Sequence, residues 1–394
     1  ELHQHMMDSI DQKNKVKVLL AQCIFGNPDV LIMDEPTNDL DYISVEWLVN
    51  FIQEFENTII VVSHDRFFLD SVCTHISDID FGKINHFSGN YSFWQASSEL
   101  ATRQKLQQNK KAEDKKKELQ EFISRFSANV AKSKQATARK KMIEKLNIEE
   151  IKPSSRRYPA IIFKQEREAG DQILEVSSLS FLNENETFFK DINFNLKKGE
   201  KVLILSKNSR ACNYFYECLS GNLKSTSGSY SWGITTSFGY LPLDNSSFFK
   251  TKTTLVDWLR QWANNDEEKE ELYIRGFLGK MLFSGDEALK SCDVLSGGEK
   301  VRCMLSKIMM GNPNVLLIDE PTNHLDLESI TTFNNSLINF KGTILMSTND
   351  IAFAKSVSNR IIEITPNGVI DSYLSFDEYV KDKKIINQRE RLYK

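Results

Sequence analysis

Residues 26–41 read GNPDVLIMDEPTNDLD and residues 311–326 read GNPNVLLIDEPTNHLD, identical at 12 of 16 positions at a constant offset of 285. The same offset carries Ser63-His64-Asp65 onto Thr348-Asn349-Asp350 without a gap. A repeat of this kind requires two copies of one domain type in whatever fold the chain adopts. The second copy can be followed upstream through an apolar strand at Leu203-Ile204-Leu205, after the Lys198-Gly199-Glu200 turn, to a strand at 174–179, so it starts near Gln172. Subtracting the offset puts the start of the first copy near position −113, well before Glu1. The sequence is therefore expected to be N-terminally truncated, holding one whole copy and the C-terminal part of another.

Between the copies, residues 94–126 have helical composition, with Leu119, Phe122, Ile123, Phe126 and Val130 spaced as one apolar stripe. A second helical stretch, 134–146, follows residues able to turn the chain, which predicts an antiparallel hairpin arm. Residues 103–145 hold 14 Lys/Arg against five Asp/Glu, a net of +9 in a chain whose total is −4, so the remainder carries −13. An acidic body with a basic arm suits a polyanionic partner. Pro153 and Pro159 mark the linker into the second copy. The expected divisions are 1–93 for the partial first copy, 94–160 for the arm, 161–380 for the second copy and 381–394 for a basic, solvated tail. No run approaches 18 consecutive apolar residues, which argues against a membrane span. Six scattered cysteines with no CxxC pair argue against zinc and disulfides and fit a reducing cytoplasm.

Each repeat is an apolar strand that ends in adjacent acids, Asp34-Glu35 and Asp319-Glu320. Two acids at the carboxyl end of a buried strand suit nucleotide hydrolysis: the first holds Mg²⁺ through water, the second orients or deprotonates the attacking water. In Leu295-Ser296-Gly297-Gly298-Glu299, Ser296 and Glu299 form a capping box that opens a helix over 300–310. Its two glycines let backbone N–H groups approach an anion at that helix start.

With LSGGE starting 21 residues before LLIDEPTN, the sequence resembles the ATP-binding cassette (ABC) ATPases, LSGGE being the signature and DEPTNxLD the Walker B motif plus D-loop. Tandem copies, DEPTN, Gly89-Asn90-Tyr91-Ser92 and the charged helical linker resemble the ABC-F subfamily in particular. The resemblance implies P-loop NTPase-type α/β domains, ATP and Mg²⁺ as cofactors, and intramolecular pairing of the two cassettes. It also implies a cytoplasmic translation factor whose arm reaches ribosomal RNA and the P-site tRNA, for which Lys132, Lys134, Arg139, Lys140 and Lys141 are candidate contacts. Two other readings stand beside it: the cytoplasmic ATPase subunit of a transporter, and a non-catalytic ribosome-binding protein.

Because cassettes pair head to tail in that family, each ATP site combines the Walker motifs of one copy with the signature of the other. The P-loop template G-x-x-x-x-G-K-[ST] falls on residues 206–213, and Ser206, Ala211, Cys212 and Asn213 all depart from it. This loop, with Asn208 in it, is expected to be an empty structural one, the alternative being weak hold on nucleotide through Lys207 or Arg210. The Q-loop glutamine position is Leu243, the switch histidine position is Asn349, and the opposing signature reads Ile10-Asp11-Gln12-Lys13-Asn14. These departures fall in one composite site, with Asp319 and Glu320. Matching residues fall in the other: Asp34 for the metal, Glu35 and His64 for catalysis, Asp41, Ser296, Gly297, Gly298 and Glu299 for nucleotide. That site's P-loop would lie near position −79. The 394-residue chain by itself is thus expected to have negligible ATPase activity.

Overall fold

The computed structural model describes residues 12–38, 40, 42–80, 82–126, 138, 140–143, 156–183 and 186–394. The elements run α1 (Gln12–Ile24), β1 (Val30–Asp34), α2 (Tyr42–Glu54), β2 (Thr58–Val62), α3 (Arg66–Val72), β3 (His75–Asp80), β4 (Lys83–Ser88) and α4 (Tyr91–Phe126). They continue with β5 (Gln172–Asn183), β6 (Glu186–Lys197), β7 (Lys201–Leu205), α5 (Ser209–Leu219), β8 (Ser227–Trp232) and β9 (Phe238–Leu241). Next come α6 (Leu255–Arg260), α7 (Glu271–Lys280), α8 (Gly297–Met310), β10 (Val315–Asp319), α9 (Leu327–Asn339) and β11 (Thr343–Ser347). The chain closes with α10 (Ile351–Val357), β12 (Arg360–Thr365), β13 (Gly368–Ser372), α11 (Phe376–Lys381) and α12 (Lys383–Leu392). Two compact units result, one of residues 1–68 with 157–394 and one of residues 69–156.

The second copy is built on a six-stranded sheet in the order β13-β12-β7-β11-β10-β9, parallel except for the β12–β13 pair. Strand side chains alternate between faces, and the core divides accordingly. Leu203, Leu316, Ile318, Ile344 and Met346 pack with α8 and α9. Val202, Ile204, Val315, Leu317 and Leu345 pack with α5 and with the antiparallel sheet β6-β5-β8. Helices or a second sheet therefore cover both faces, which is why VLLID reads as an unbroken apolar run. The phosphate-loop position follows β7, and the acid pair ends β10, two strands away.

In the first copy β1 and β2 repeat that geometry, pairing in parallel from Val30↔Thr58 to Asp34↔Val62, as β10 and β11 do from Val315↔Thr343 to Asp319↔Ser347. Even the left-handed residues recur, Asn27 (φ 51°) with Asn312 (φ 42°) and Glu35 (φ 46°) with Glu320 (φ 45°).

The arm's unit starts at a cap. Asn90 Oδ1 accepts the Phe93 N–H, and Ser92 donates to Asp70 through N (2.7 Å) and Oγ (2.5 Å). Gly89 sits at φ 122°, where a Cβ would meet the Phe93 ring at 2.6 Å. Trp94 is buried beneath the Arg156 guanidinium, which also pairs with Asp78. Helix α4 runs 36 residues. Leu119 is buried and Ile123 half-buried, as the stripe predicts, while Phe122, Phe126 and Val130 lie outside the described side chains. Of the second stretch expected to be helical, residues 138 and 140–143 are helical.

One expectation needs correction. The basic end, residues 381–394, is no solvated tail. Helix α12 docks with Arg389 only 8% exposed, its guanidinium bonded to buried Glu363, and Leu392 lies against the core. Alternation of Ile385, Arg389 and Leu392 along one face disguised an apolar contact as a charge run.

Candidate functional site

Glu35 follows the last residue of β1, and its left-handed backbone is tied down by its N–H bonding Val62 O at 2.8 Å. That anchors its carboxylate beside the next loop: Oε2 accepts the His64 N–H at 3.2 Å, and His64 Nε2 lies 3.4 Å from Oε1. Burial raises the Glu35 carboxyl above its ordinary value, His64 works against that, and neighbouring Asp34 adds to the rise. Oε1 is buried, with the His64 imidazole beside it but no aligned hydrogen bond among the described residues. A carboxylate of raised affinity for protons with one oxygen not firmly bonded is the arrangement a base needs to take up a water. With Asp34 beside it at the strand end, the pair offers the carboxylate oxygens that a hydrated Mg²⁺ takes.

Glu35 and His64 line a cavity of about 40 Å³ with Thr37, Asn38 and Asp65 and, from the second copy, Thr322, Asn323, Asn349 and Asp350. The sequence reading missed two of these. Asp65, half-buried, and Asp350, buried, are repeat-equivalents, and each takes the amide three residues on, Phe68 at 3.0 Å and Phe353 at 2.9 Å. Burial first, then the Asp350 charge and that of Glu35, push Asp65 up to about 7; burial also raises Asp350, against the pull of Arg66. The 285 offset already aligned them, but alignment does not reveal that equivalents face each other.

The signature forms the expected cap. Ser296 Oγ accepts the Glu299 N–H at 3.3 Å and Glu299 Oε2 accepts the Ser296 N–H at 2.9 Å, with Lys290 on the other oxygen at 2.9 Å. Its glycines have a second reason to exist. A Cβ on Gly298 would lie 2.5 Å from His324 O, and one on Gly297 3.3 Å from the His324 ring. The D-loop of the same copy thus lies directly on the signature turn. Arg302 Nη1 lies 4.0 Å from Asp326, which caps α9 through the Ser329 N–H. Asp41, the repeat-equivalent of Asp326, is outside the described residues, as are Lys132, Lys134 and Arg139; Lys140 and Lys141 are exposed on a helical segment.

The other acid pair is differently placed. Asp319 is 2% exposed, and both carboxylate oxygens carry hydrogen bonds, from Ser347 Oγ at 2.6 Å and from Asn213 Nδ2 at 3.1 Å. An amide donor stands where a metal site needs another oxygen ligand, so these residues do not fit Mg²⁺. Asn349 donates its N–H to Glu320 Oε2 at 3.0 Å, as His64 does to Glu35, but brings no imidazole. Leu243, at the Q-loop position, is partly exposed.

A parallel sheet with a phosphate-loop position after a central strand, an acid pair two strands away and a capped glycine turn define a P-loop NTPase of the cassette type. Two family models described as ABC transporter match residues 189–323 and 77–163. The chain is 50% identical over all 394 residues to YkpA, an ABC transporter ATP-binding protein of Bacillus subtilis (strain 168), spanning 73% of that relative. It is 29% identical over 383 residues to ABC transporter F family member 5 of Arabidopsis thaliana, covering 94% of this chain and 53% of the relative. To the energy-dependent translational throttle protein EttA of Escherichia coli (strain K12) it is 31% identical over 382 residues, covering 93% and 66%. The chain belongs to the ABC-F family of ATP-binding cassette ATPases. Among the described residues, no helix is long and apolar enough to cross a membrane.

Proposed function

We propose that this protein is a cytoplasmic, ribosome-associated translation factor that hydrolyses ATP at one of two composite sites. The observation that carries the asymmetry lies at the second acid pair: Asp319 is held by Asn213 and Ser347, an amide standing where a metal ligand belongs. In the active site Glu35 takes the proton of the attacking water, a role that its raised affinity for protons supports. His64 holds Glu35 through its backbone and lies beside the γ-phosphate position. Ser296, Gly297, Gly298 and Glu299 present the helix start of α8 to the same nucleotide, for which Asp41 is a further candidate contact. Mg²⁺, held by Asp34 through water, would neutralise phosphate charge. The phosphate loop that faces Glu35 has no counterpart within residues 1–394, so the 394-residue chain turns over no ATP alone.

The basic arm is the ribosomal element, contacting rRNA and the P-site tRNA through Lys132, Lys134, Arg139, Lys140 and Lys141. Similarity to a translational throttle protein supports this, as does a net of +9 over residues 103–145 of a chain otherwise at −13. The test is ribosome co-sedimentation beside an ATPase assay, on the product of the whole reading frame and on the 394-residue chain. Ribosome binding with ATP turnover only in the former is expected. Turnover by the 394-residue chain that vanishes in Glu35→Gln would refute the composite-site reading.

A further inference from the structure

The second phosphate loop is closed by groups of its own chain. Helix α5 starts at Ser209, so only three residues separate it from β7, and its growth consumes the amides that would face a phosphate. Ala211 N–H bonds Asn208 O at 2.9 Å, Arg210 N–H bonds Asn208 Oδ1 at 3.1 Å, and Asn208 N–H bonds Ser206 Oγ at 3.3 Å. A further amide, Lys207 N–H, goes to a residue 186 positions away: it bonds the Tyr393 hydroxyl at 2.9 Å. That hydroxyl donates onward to Ile364 O at 3.3 Å, and the Lys207 ammonium lies 4.4 Å from the centre of the Tyr393 ring. One side chain thus takes both the amide and the cation that a phosphate would seek at the start of this loop.

Tyr393 is held there firmly. Asp382 caps α12 through Lys384 N–H and Ile385 N–H, and Arg389 grips Glu363, which also accepts the Tyr379 hydroxyl at 2.7 Å. Asn367 Nδ2 bonds Leu392 O at 3.2 Å, one residue before the tyrosine. Burial keeps the Tyr393 phenol neutral, able to accept and donate at once.

We propose that the C-terminal helix is a built-in plug of the second phosphate loop, with Tyr393 standing in for the nucleotide. The proposal rests on the reading that this site takes no nucleotide, and it names what closes it. Losing the four loop residues is then not the whole block, because the plug excludes phosphate from a restored loop as well.

Two measurements on the full 394-residue chain test this. In the first, MgATP is titrated calorimetrically into a chain with the loop rebuilt (Ser206→Gly, Ala211→Gly, Cys212→Lys, Asn213→Ser), with and without Tyr393→Ala. The rebuilt loop alone should bind no better than wild type, and adding Tyr393→Ala should tighten binding about tenfold or more. Equal binding in the two rebuilt backgrounds, or none in either while both melt cooperatively, overturns the plug. Binding by the wild-type second site would instead overturn the one-site reading. In the second, Tyr393→Phe keeps the ring over Lys207 and removes only the hydroxyl. Exchange of the Lys207 amide should quicken about tenfold, the worth of one hydrogen bond; an unchanged rate also overturns the plug.

Discussion

The two copies of VLxxDE carry the same strands in the same register, yet their surroundings are opposite. Ile32 is 73% exposed while its equivalent Leu317 is fully buried, and the same contrast separates Ile60 from Leu345. In the second copy α5 and the sheet β6-β5-β8 cover this face; in the first, no described residue does. The motif turn nevertheless forms identically in both, down to the left-handed glutamate. Local sequence therefore builds the acid-bearing turn, and what lies across from it decides what the acids can do. In the second copy Asp319 is taken up by an amide and a hydroxyl.

The largest test of this contrast is catalytic. In the product of the whole reading frame, Glu35→Gln should lower ATP turnover by about 10²–10⁴, the range of a lost general base, with Glu320→Gln nearly silent. Equal losses in a steady-state assay would break the asymmetry between the sites. Next comes packing. Leu317→Ala should cost about 2–5 kcal/mol in denaturant unfolding of the second copy, while Ile32→Ala should stay within about 0.5 kcal/mol. Similar costs would mean that the first copy's face is covered after all.

A smaller effect concerns the carboxyls where the copies meet. With Asp65 raised to about 7 from 3.8, the folded chain keeps a proton that the unfolded chain releases. That linkage supports the fold fully below the unfolded value and is lost as pH rises through about 7. Asp65→Asn, which can still cap α3, should therefore flatten the fall in melting temperature between about pH 5 and pH 8. An unaltered fall would separate the two aspartates. Last, alanine at Lys132, Lys134, Arg139, Lys140 and Lys141 should weaken ribosome binding and its salt dependence, by about 0.7–0.9 in log–log slope per lost phosphate contact. A slope that does not change would remove the arm from the interface.

Much of this was legible in the residues, because a repeat with constant offset carries strand, turn and acid pair together. The capping box at Ser296 and Glu299 was likewise readable, being local. What escaped reading depends on distance along the chain. Asn213 meets Asp319 across 106 residues and Tyr393 meets Lys207 across 186, and no periodicity encodes such meetings. Gly297 and Gly298 suggested anion binding; that they also make room for His324 becomes visible only once the D-loop is folded back. The tail misled for a related reason, since Arg389 reads as a surface charge until Glu363 is beside it.

The Asn213–Asp319 hydrogen bond bears on how such sequences are counted. A search that scores strand, Asp and Glu finds two ATP sites in this chain. One that asks which side chain faces the first acid finds, on the reading proposed, a single site with its mimic. A lone amide in place of a hydroxyl is enough to tell them apart, and it can be read in a relative before any fold is known.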